Sequence, residues 1–465
     1  GTFAPGVVMS RASGTYTGSI TVALSLAALD TNAVIRFTTN NVLPGPTSAV
    51  YAGPLTFTSA VHLRARAFSP GRLPGPPQSA TYTPLSTAVA QFRSDLPVLM
   101  LHNYSRGRPS TAGVFGTVQL FEPTNGVTAL TNLPTLSARA SLASRGSSTE
   151  GLAKVSLKVE FRDEFDLDRA VGWLGMPEDP DWVLYAPNVF DPIMTHNPFM
   201  HGLANDLGYY SSRCRFVEVY LVQSGLGAVT STSYAGVYVL EEKVKRDKNR
   251  VDVDKLEPEH TLPPEVTGGY LFKVDRPDPG DTGFSANGTQ MMYVEPKEPE
   301  IERADRLAQR QYVTQFFSQF AAALNGANYR NPTVGYARYL DVDPSIDFHI
   351  LNTMSFNVDA LVLSTYLYKP RDGKLTFGPL WDFDRALGST DGRDNNPRTW
   401  GANFFTAYWW PRLFSDPDFT QRWIDRYQEL RVGLLSTTNL FLRLDGLTAQ
   451  LRQAQPRERT KWATA

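Results

Sequence analysis

Asn357 to Gly388 reads NVDALVLSTYLYKPRDGKLTFGPLWDFDRALG, and the organisation of the chain turns on it. Two runs rich in aromatic and aliphatic residues, Leu363 to Tyr368 and Leu375 to Leu380, flank Pro370-Arg371-Asp372-Gly373, a composition that favours a tight reversal. The pattern predicts an antiparallel hairpin. Asp359 stands just before its first strand and Asp382 just after its second, so pairing draws two distant carboxylates together at the open end. Two acids so placed can share one divalent cation, although Asp at a hairpin end is also a common turn cap.

At 465 residues and 51.6 kDa the chain exceeds one ordinary compact core, and about two or three domains are expected. The formal charge of −1 argues against a dedicated nucleic-acid or anionic-membrane surface. Cys214 is the single cysteine, which excludes an intrachain disulfide framework and any cysteine-based zinc site, and the six histidines show no ligand spacing. No apolar run reaches the length of a membrane span, and no charged-then-apolar leader begins at Gly1. A soluble piece is expected, and the helix-like stretch Glu458 to Ala465 at the end suggests a fragment of a longer protein.

Working outward, the residues up to Pro84 carry short alternating runs, Ser19 to Ser25, Ala33 to Thr39 and Val61 to Phe68, punctuated by Gly, Pro, Asn and Ser. That spacing predicts a small β-sandwich. Residues 85–95 have weak periodicity and read as a linker, after which Leu96 to Leu101 is a buried-type strand. Leu136 to Ala143 and Lys154 to Phe161 alternate like paired strands around Ser144-Arg145-Gly146-Ser147-Ser148-Thr149-Glu150-Gly151. Small residues let backbone N–H groups approach an anion, and Arg145 and Lys154 bracket the loop. A phosphate cover is one reading and a polar hairpin loop the plainer one, since neither G-x-G-x-x-G nor the Walker pattern is present.

Asp181 to Tyr185, Val217 to Val222 and Gly236 to Leu240 read as strands, and Pro198 to Leu207 as a helix stopped by Gly208. The charged run from Glu241 to Lys245 is either a solvated face or the source of a Glu that orients Lys154. Gly268 to Asp275 reads as a strand closing a mixed sheet. Helices follow over Ile301 to Leu324, from Asp343-Pro344, and after Asp416-Pro417, with an aromatic run from Trp400 to Trp410 before the last. A strand-rich part with Lys154, followed by a helical part with Asp359, the hairpin and Asp382, is the order of parts that phosphoryl transfer needs.

The first segment resembles the chitobiase/β-hexosaminidase C-terminal module. The residues that carry this are Gly14-Thr15-Tyr16, Val34 to Thr39, Pro46-Thr47-Ser48, Pro54-Leu55, Leu63-Arg64-Ala65 and Thr81-Tyr82, with Asn40-Asn41 where that family usually shows Asp-Gly. From Leu96 to about Leu434 the chain resembles the CotH family of spore-coat-protein-H-like atypical protein kinases. Here the matching residues are Ser144 to Ser148 with Lys154, Trp182-Val183-Leu184 with Asp191 and Asn197, Gly236 to Glu241, Gly268-Gly269-Tyr270 with Asp275, Asn357-Val358-Asp359, and Gly378 to Asp384 with Gly388.

The resemblance implies an α+β fold, a two-lobed kinase-like domain over residues 96–435 preceded by the all-β sandwich of residues 1–84 and followed by a helical segment over 436–465. It implies ATP with Mg2+ or Mn2+, and phosphate transfer to Ser or Thr hydroxyls of secreted or surface proteins, in a bacterial, spore-coat-like setting. Asp359 is then the catalytic carboxylate, Asp382 the principal metal ligand and Asp384 the reserve. Arg145, Ser147, Ser148 and Lys154 hold the nucleotide, in a cleft expected between strand-rich and helical parts, and Glu241 orients the lysine. The sandwich implies polysaccharide or cell-surface association. Two positions depart from the family pattern: Ser364 replaces an Asn expected five residues after Asp359, and His196 stands where Arg is frequent. Ser364 supports the alternative of a catalytically degenerate surface protein, and a sugar-cleaving enzyme ranks third.

Overall fold

A computed structural model describes residues 1–462 apart from positions 278–280, 287, 298 and 400–402. The start of the Trp400 to Trp410 run and the last three residues of Glu458 to Ala465 thus lie outside the described residues. The chain divides into two compact units. One takes Gly1–Pro187, Arg215–Glu241 and Ala449–Ala465, and the other takes Asn188–Cys214 and Glu242–Thr448.

The first unit begins with the expected sandwich. A five-stranded sheet runs in the order Gly14–Tyr16, Gln78–Pro84, Val61–Phe68, Val34–Thr38 and Ala49–Val50, accompanied by two two-stranded pairs. Its core is Val22, Leu24, Val61, Leu63, Ala65, Ala80 and Tyr82. The strand Val61–Phe68 alternates in sequence, yet its polar side is also buried: Arg64 is only 1% exposed. The reason is a polar layer shared with the rest of the unit. Arg64 pairs with Glu164 at 3.1 Å and donates to the Asn41 carbonyl at 2.6 Å, and Arg139 donates to the Asn41 side chain at 2.6 Å. Asn41 sits at φ +71°, which an Asn tolerates, so the Asn40-Asn41 pair still serves as a turn. Between these cations burial pushes the His62 imidazole down to about 3, with Arg139 and Arg64 adding to the shift.

Seven further strands close into a barrel: Val98–His102, Val114–Phe121, Leu136–Arg145, Ser156–Arg162, Asp181–Tyr185, Tyr234–Glu242 and Cys214–Val222, the last returning parallel to the first. Closure removes free sheet edges. It also accounts for the unbroken apolar run at Val98: Leu99 and Leu101 face the barrel interior, while Val98 and Met100 pack outside with Leu85, Val89 and Tyr220. The chain's last helix, Gln455–Lys461, belongs to this unit.

The second unit has its own sheet, in the order Gly283–Ala286, Thr289–Glu295, Tyr270–Val274, Thr365–Lys369 and Thr376–Phe377, with every pairing antiparallel. The strand after Gly268-Gly269 therefore does not close a mixed sheet with the earlier strands. It lies at the centre of this separate sheet because both of its faces need cover: Phe272 meets Phe317 of the helix Leu307–Asn325 at 5.5 Å, while Leu271 packs on Val251 and Val253. The helix Val342–Met354 and the helix Pro417–Val432, whose Asp416 caps the N–H of Asp418, complete the core. Leu367 pairs with Phe377 and Tyr368 with Thr376 around the Pro370 to Gly373 turn, as the hairpin requires. Its strands are shorter than the apolar pattern suggests, because Leu361 and Ser364 adopt positive φ and turn the chain before Thr365.

Candidate active site

At the open end of the hairpin, two turns are laced together. The Val358 N–H donates to the Arg385 carbonyl at 3.4 Å, the Leu387 N–H to the Ser355 carbonyl at 2.8 Å, and the Asn357 amide to the Asp382 carbonyl at 3.1 Å. A third support comes from the helix His196–Asp206, where the Asn197 side-chain oxygen accepts from the Phe383 N–H at 2.8 Å. Phe383 is fully buried, so its neighbours Asp382 and Asp384 are presented from a fixed base. Asp382 itself holds φ +61°, a conformation that costs energy unless its surroundings enforce it.

Five carboxylates influence one another here. Burial raises the Asp384 carboxyl well above the usual range, and Asp382, Asp359 and Asp191 add repulsion, offset in part by Arg385. Asp275 is raised too, chiefly by burial and also by Asp382, while the N–H groups of Arg276 and Ser364 stabilise its charge. Ser364 donates its hydroxyl to Asp382 at 3.3 Å. His196, in the position noted for its departure, turns its Nε2 to Asp191 at 3.6 Å. Asp359 and Asp382, at the two ends of the hairpin, thus share one electrostatic neighbourhood with Asp384, and the fold adds Asp191 and Asp275.

Asp359 is engaged by cations. Arg393 reaches it at 3.0 Å and Arg385 at 3.9 Å, and both guanidiniums are bridged by Asp391. Hydrogen bonds from Arg393 hold the Asp391 carboxyl down at about 2. Arg385 also stacks over the Phe190 ring at 3.8 Å.

In the other unit, Leu136–Arg145 and Ser156–Arg162 pair antiparallel, with Arg145 opposite Ser156. The intervening loop exposes Ser147 and Ser148, and Lys154 is buried at its far end. Arg108 donates to the carbonyls of Glu150 and Leu152 at 2.6 and 2.8 Å, and Ser144 donates to the Glu150 carboxylate, so the loop is braced from both sides. Glu241 is fully buried near the end of the strand Tyr234–Glu242. A Glu458 carboxylate oxygen lies 2.6 Å from the Lys154 ammonium.

Residues 142–465 match the family described as CotH kinase protein, and residues 11–82 match the chitobiase/beta-hexosaminidase C-terminal domain. The chain belongs to the CotH kinase protein family. No curated protein matches the chain. The CotH match includes the carboxylate neighbourhood, the Ser/Gly loop and the C-terminal helix.

The donor set of the CotH region suits a hard divalent cation, being carboxylate oxygens with one serine hydroxyl beside them. The repulsion that the half-buried Asp382 exerts on the buried Asp384 is of the kind such an ion relieves. Among the described residues no three of these acids put oxygens within 4.8 Å of one another. Arg393, Arg108 and Glu458 carry no local motif and are visible only once the chain is folded. Asp191 and Asp275 stand in the family pattern without a role, and the fold places both within electrostatic reach of the turn that carries Asp382 and Asp384.

Proposed function

We propose that the CotH region transfers phosphate from ATP to Ser or Thr hydroxyls of proteins, using Mg2+ or Mn2+. The observation that carries this reading is the buried Asp384 carboxylate with the half-buried Asp382 close enough to repel it, in a member of a kinase family. A bound cation would supply neutralisation of the triphosphate charge, and Asp382 and Asp384 are the residues to hold it. Lys154 and Arg145 grip phosphate oxygens, Ser147 and Ser148 offer donors from the exposed loop, and Glu241 helps to orient the lysine. Asp359 orients the acceptor hydroxyl and takes its proton as the new O–P bond forms and the bond to the leaving diphosphate breaks. To do so, Asp359 exchanges its Arg393 contact for the hydroxyl.

Incubation with labelled ATP and Mn2+ or Mg2+ tests the proposal. Asp382→Ala should lower labelling of the protein or of a generic acceptor by on the order of a hundred-fold or more, and labelling equal to wild type would sink the reading. The hold of Arg393 on Asp359, together with Ser364, favours a second reading, a catalytically degenerate surface protein. Calorimetry separates them, since a scaffold binds no nucleotide in a metal-dependent way. In either reading the setting is secreted or cell-surface, with the sandwich as spacer or as an attachment to polysaccharide, and with no nucleic-acid partner. Among the described residues no helix is long and apolar enough to cross a membrane.

A further inference from the structure

The ion pair of Lys154 and Glu458 lies almost out of solvent, with side chains 5% and 2% exposed and 2.6 Å between Nζ and Oε1. Its carboxylate is held from two directions, because Glu458 Oε2 also accepts from the Val237 N–H at 2.7 Å. The backbone beneath is shaped to admit it. Gly236 sits at φ +97°, and a Cβ there would come within 2.2 Å of Glu458 Oε2 and 2.9 Å of Trp462 Nε1. The ring of Tyr238 lies 5.2 Å from the ammonium. A lysine in such a place keeps its charge only with a fixed anionic partner, and a fixed partner restricts where the ammonium points.

We infer that Glu458 is the positioning residue for Lys154, fixing its ammonium for nucleotide phosphates, so that the chain's last helix completes the phosphate-holding apparatus. This rests on the kinase reading above. It adds a partner 304 residues away in sequence to the role that local sequence offers to Glu241.

Calorimetric titration of the full chain with a non-hydrolysable ATP analogue and Mn2+ tests it. Glu458→Gln should weaken binding about ten-fold, Lys154→Met by at least as much, and the double variant no more than Lys154→Met alone. Adenosine, which lacks phosphate, should bind the variants and wild type equally, whereas a general loss of structure would weaken both ligands. Wild-type affinity in Glu458→Gln, or fully additive losses, overturns the inference. A measurement on wild type guards against a variant that does not fold: acylation of Lys154, followed by mass spectrometry, should fall when the analogue and Mn2+ are present. Equal acylation with nucleotide bound overturns it as well. Wild type that binds no nucleotide removes the kinase reading, and this inference falls with it, while wild type that binds normally beside an indifferent Glu458→Gln removes the inference alone.

Discussion

Ser364 is where the sequence departs from the kinase pattern and where the backbone says most about the departure. Its φ is +48°, in the left-handed region that Asn enters several-fold more readily than other non-glycine residues. Its hydroxyl already donates to Asp382 at 3.3 Å, so the residue stands next to the carboxylate proposed to hold the cation, yet it offers a donor where a carbonyl oxygen would serve a cation better. Restoring Asn fits both the backbone and the chemistry. Ser364→Asn should tighten Mn2+ binding in the presence of nucleotide several-fold, on the order of 0.5–1.5 kcal/mol, and raise phosphate transfer in parallel. Titration calorimetry reads the first and labelled ATP the second. Weaker or equal Mn2+ binding would place residue 364 outside the coordination sphere.

Between elements, the seam of the helices Val342–Met354 and Pro417–Val432 turns on one imidazole. His349 Nδ1 accepts from the Trp423 indole N–H at 3.1 Å, so the ring proton sits on Nε2 and is donated to the Phe404 carbonyl at 2.6 Å. Burial lowers its pKa to about 4, although the Phe404 carbonyl favours the charged form. The folded value lies below the unfolded one near 6.5, so the unfolded chain binds the extra proton between these pH values. The stabilisation is thus complete above about pH 6.5 and is lost as pH falls towards 4, by about 3 kcal/mol for this group. Urea unfolding at pH 7 and at pH 4.5 should show a steeper loss for wild type than for His349→Gln, and identical losses would contradict the assignment. The elements at this seam were legible in the sequence, because Asp343-Pro344 and Asp416-Pro417 are local start signals and the apolar spacing is helical. The hairpin was legible for the same kind of reason, with a turn composition between two apolar runs. Barrel closure was not, because the sequence of Val98–His102 records only that both faces are buried and not which strands bury them. Nor was the separate sheet of Tyr270–Val274. At the site, Asp359 and Asp382 could be singled out because a hairpin joins them locally and Asp384 only through the family resemblance, whereas Glu458 and Arg393 depend on contacts that no periodicity encodes.

Across the whole molecule, chain order and spatial order diverge. The first unit takes its strands from residues up to Pro187, yields the chain to the second, regains Arg215–Glu241, yields it again, and is finished only by the residues after Thr448. Those last residues satisfy groups that have no access to water. Besides Glu458 on Lys154, Arg457 clasps the fully buried Glu218 at 2.6 and 2.8 Å, and the Trp462 indole donates to the Ala235 carbonyl at 3.0 Å. Breaking a buried pair from one side costs about 3–5 kcal/mol, so the loss of Glu458 from Lys154 is a large part of the whole stability of many domains, about 5–15 kcal/mol, and the loss of the partly exposed Arg457 from Glu218 adds to it. The second unit, by contrast, contributes none of the residues after Thr448. A chain ending at Thr448 should therefore lose hydrogen-exchange protection first in the strands Ser156–Arg162, Cys214–Val222 and Tyr234–Glu242. The helices Val342–Met354 and Pro417–Val432 should keep theirs. Exchange read by mass spectrometry on peptides from the two sets checks this directly, and uniform loss across both would mean that the units do not unfold separately. The same reasoning bears on synthesis, since a unit whose buried Lys154 and Glu218 wait for Glu458 and Arg457 cannot reach its final stability until those two residues have been made.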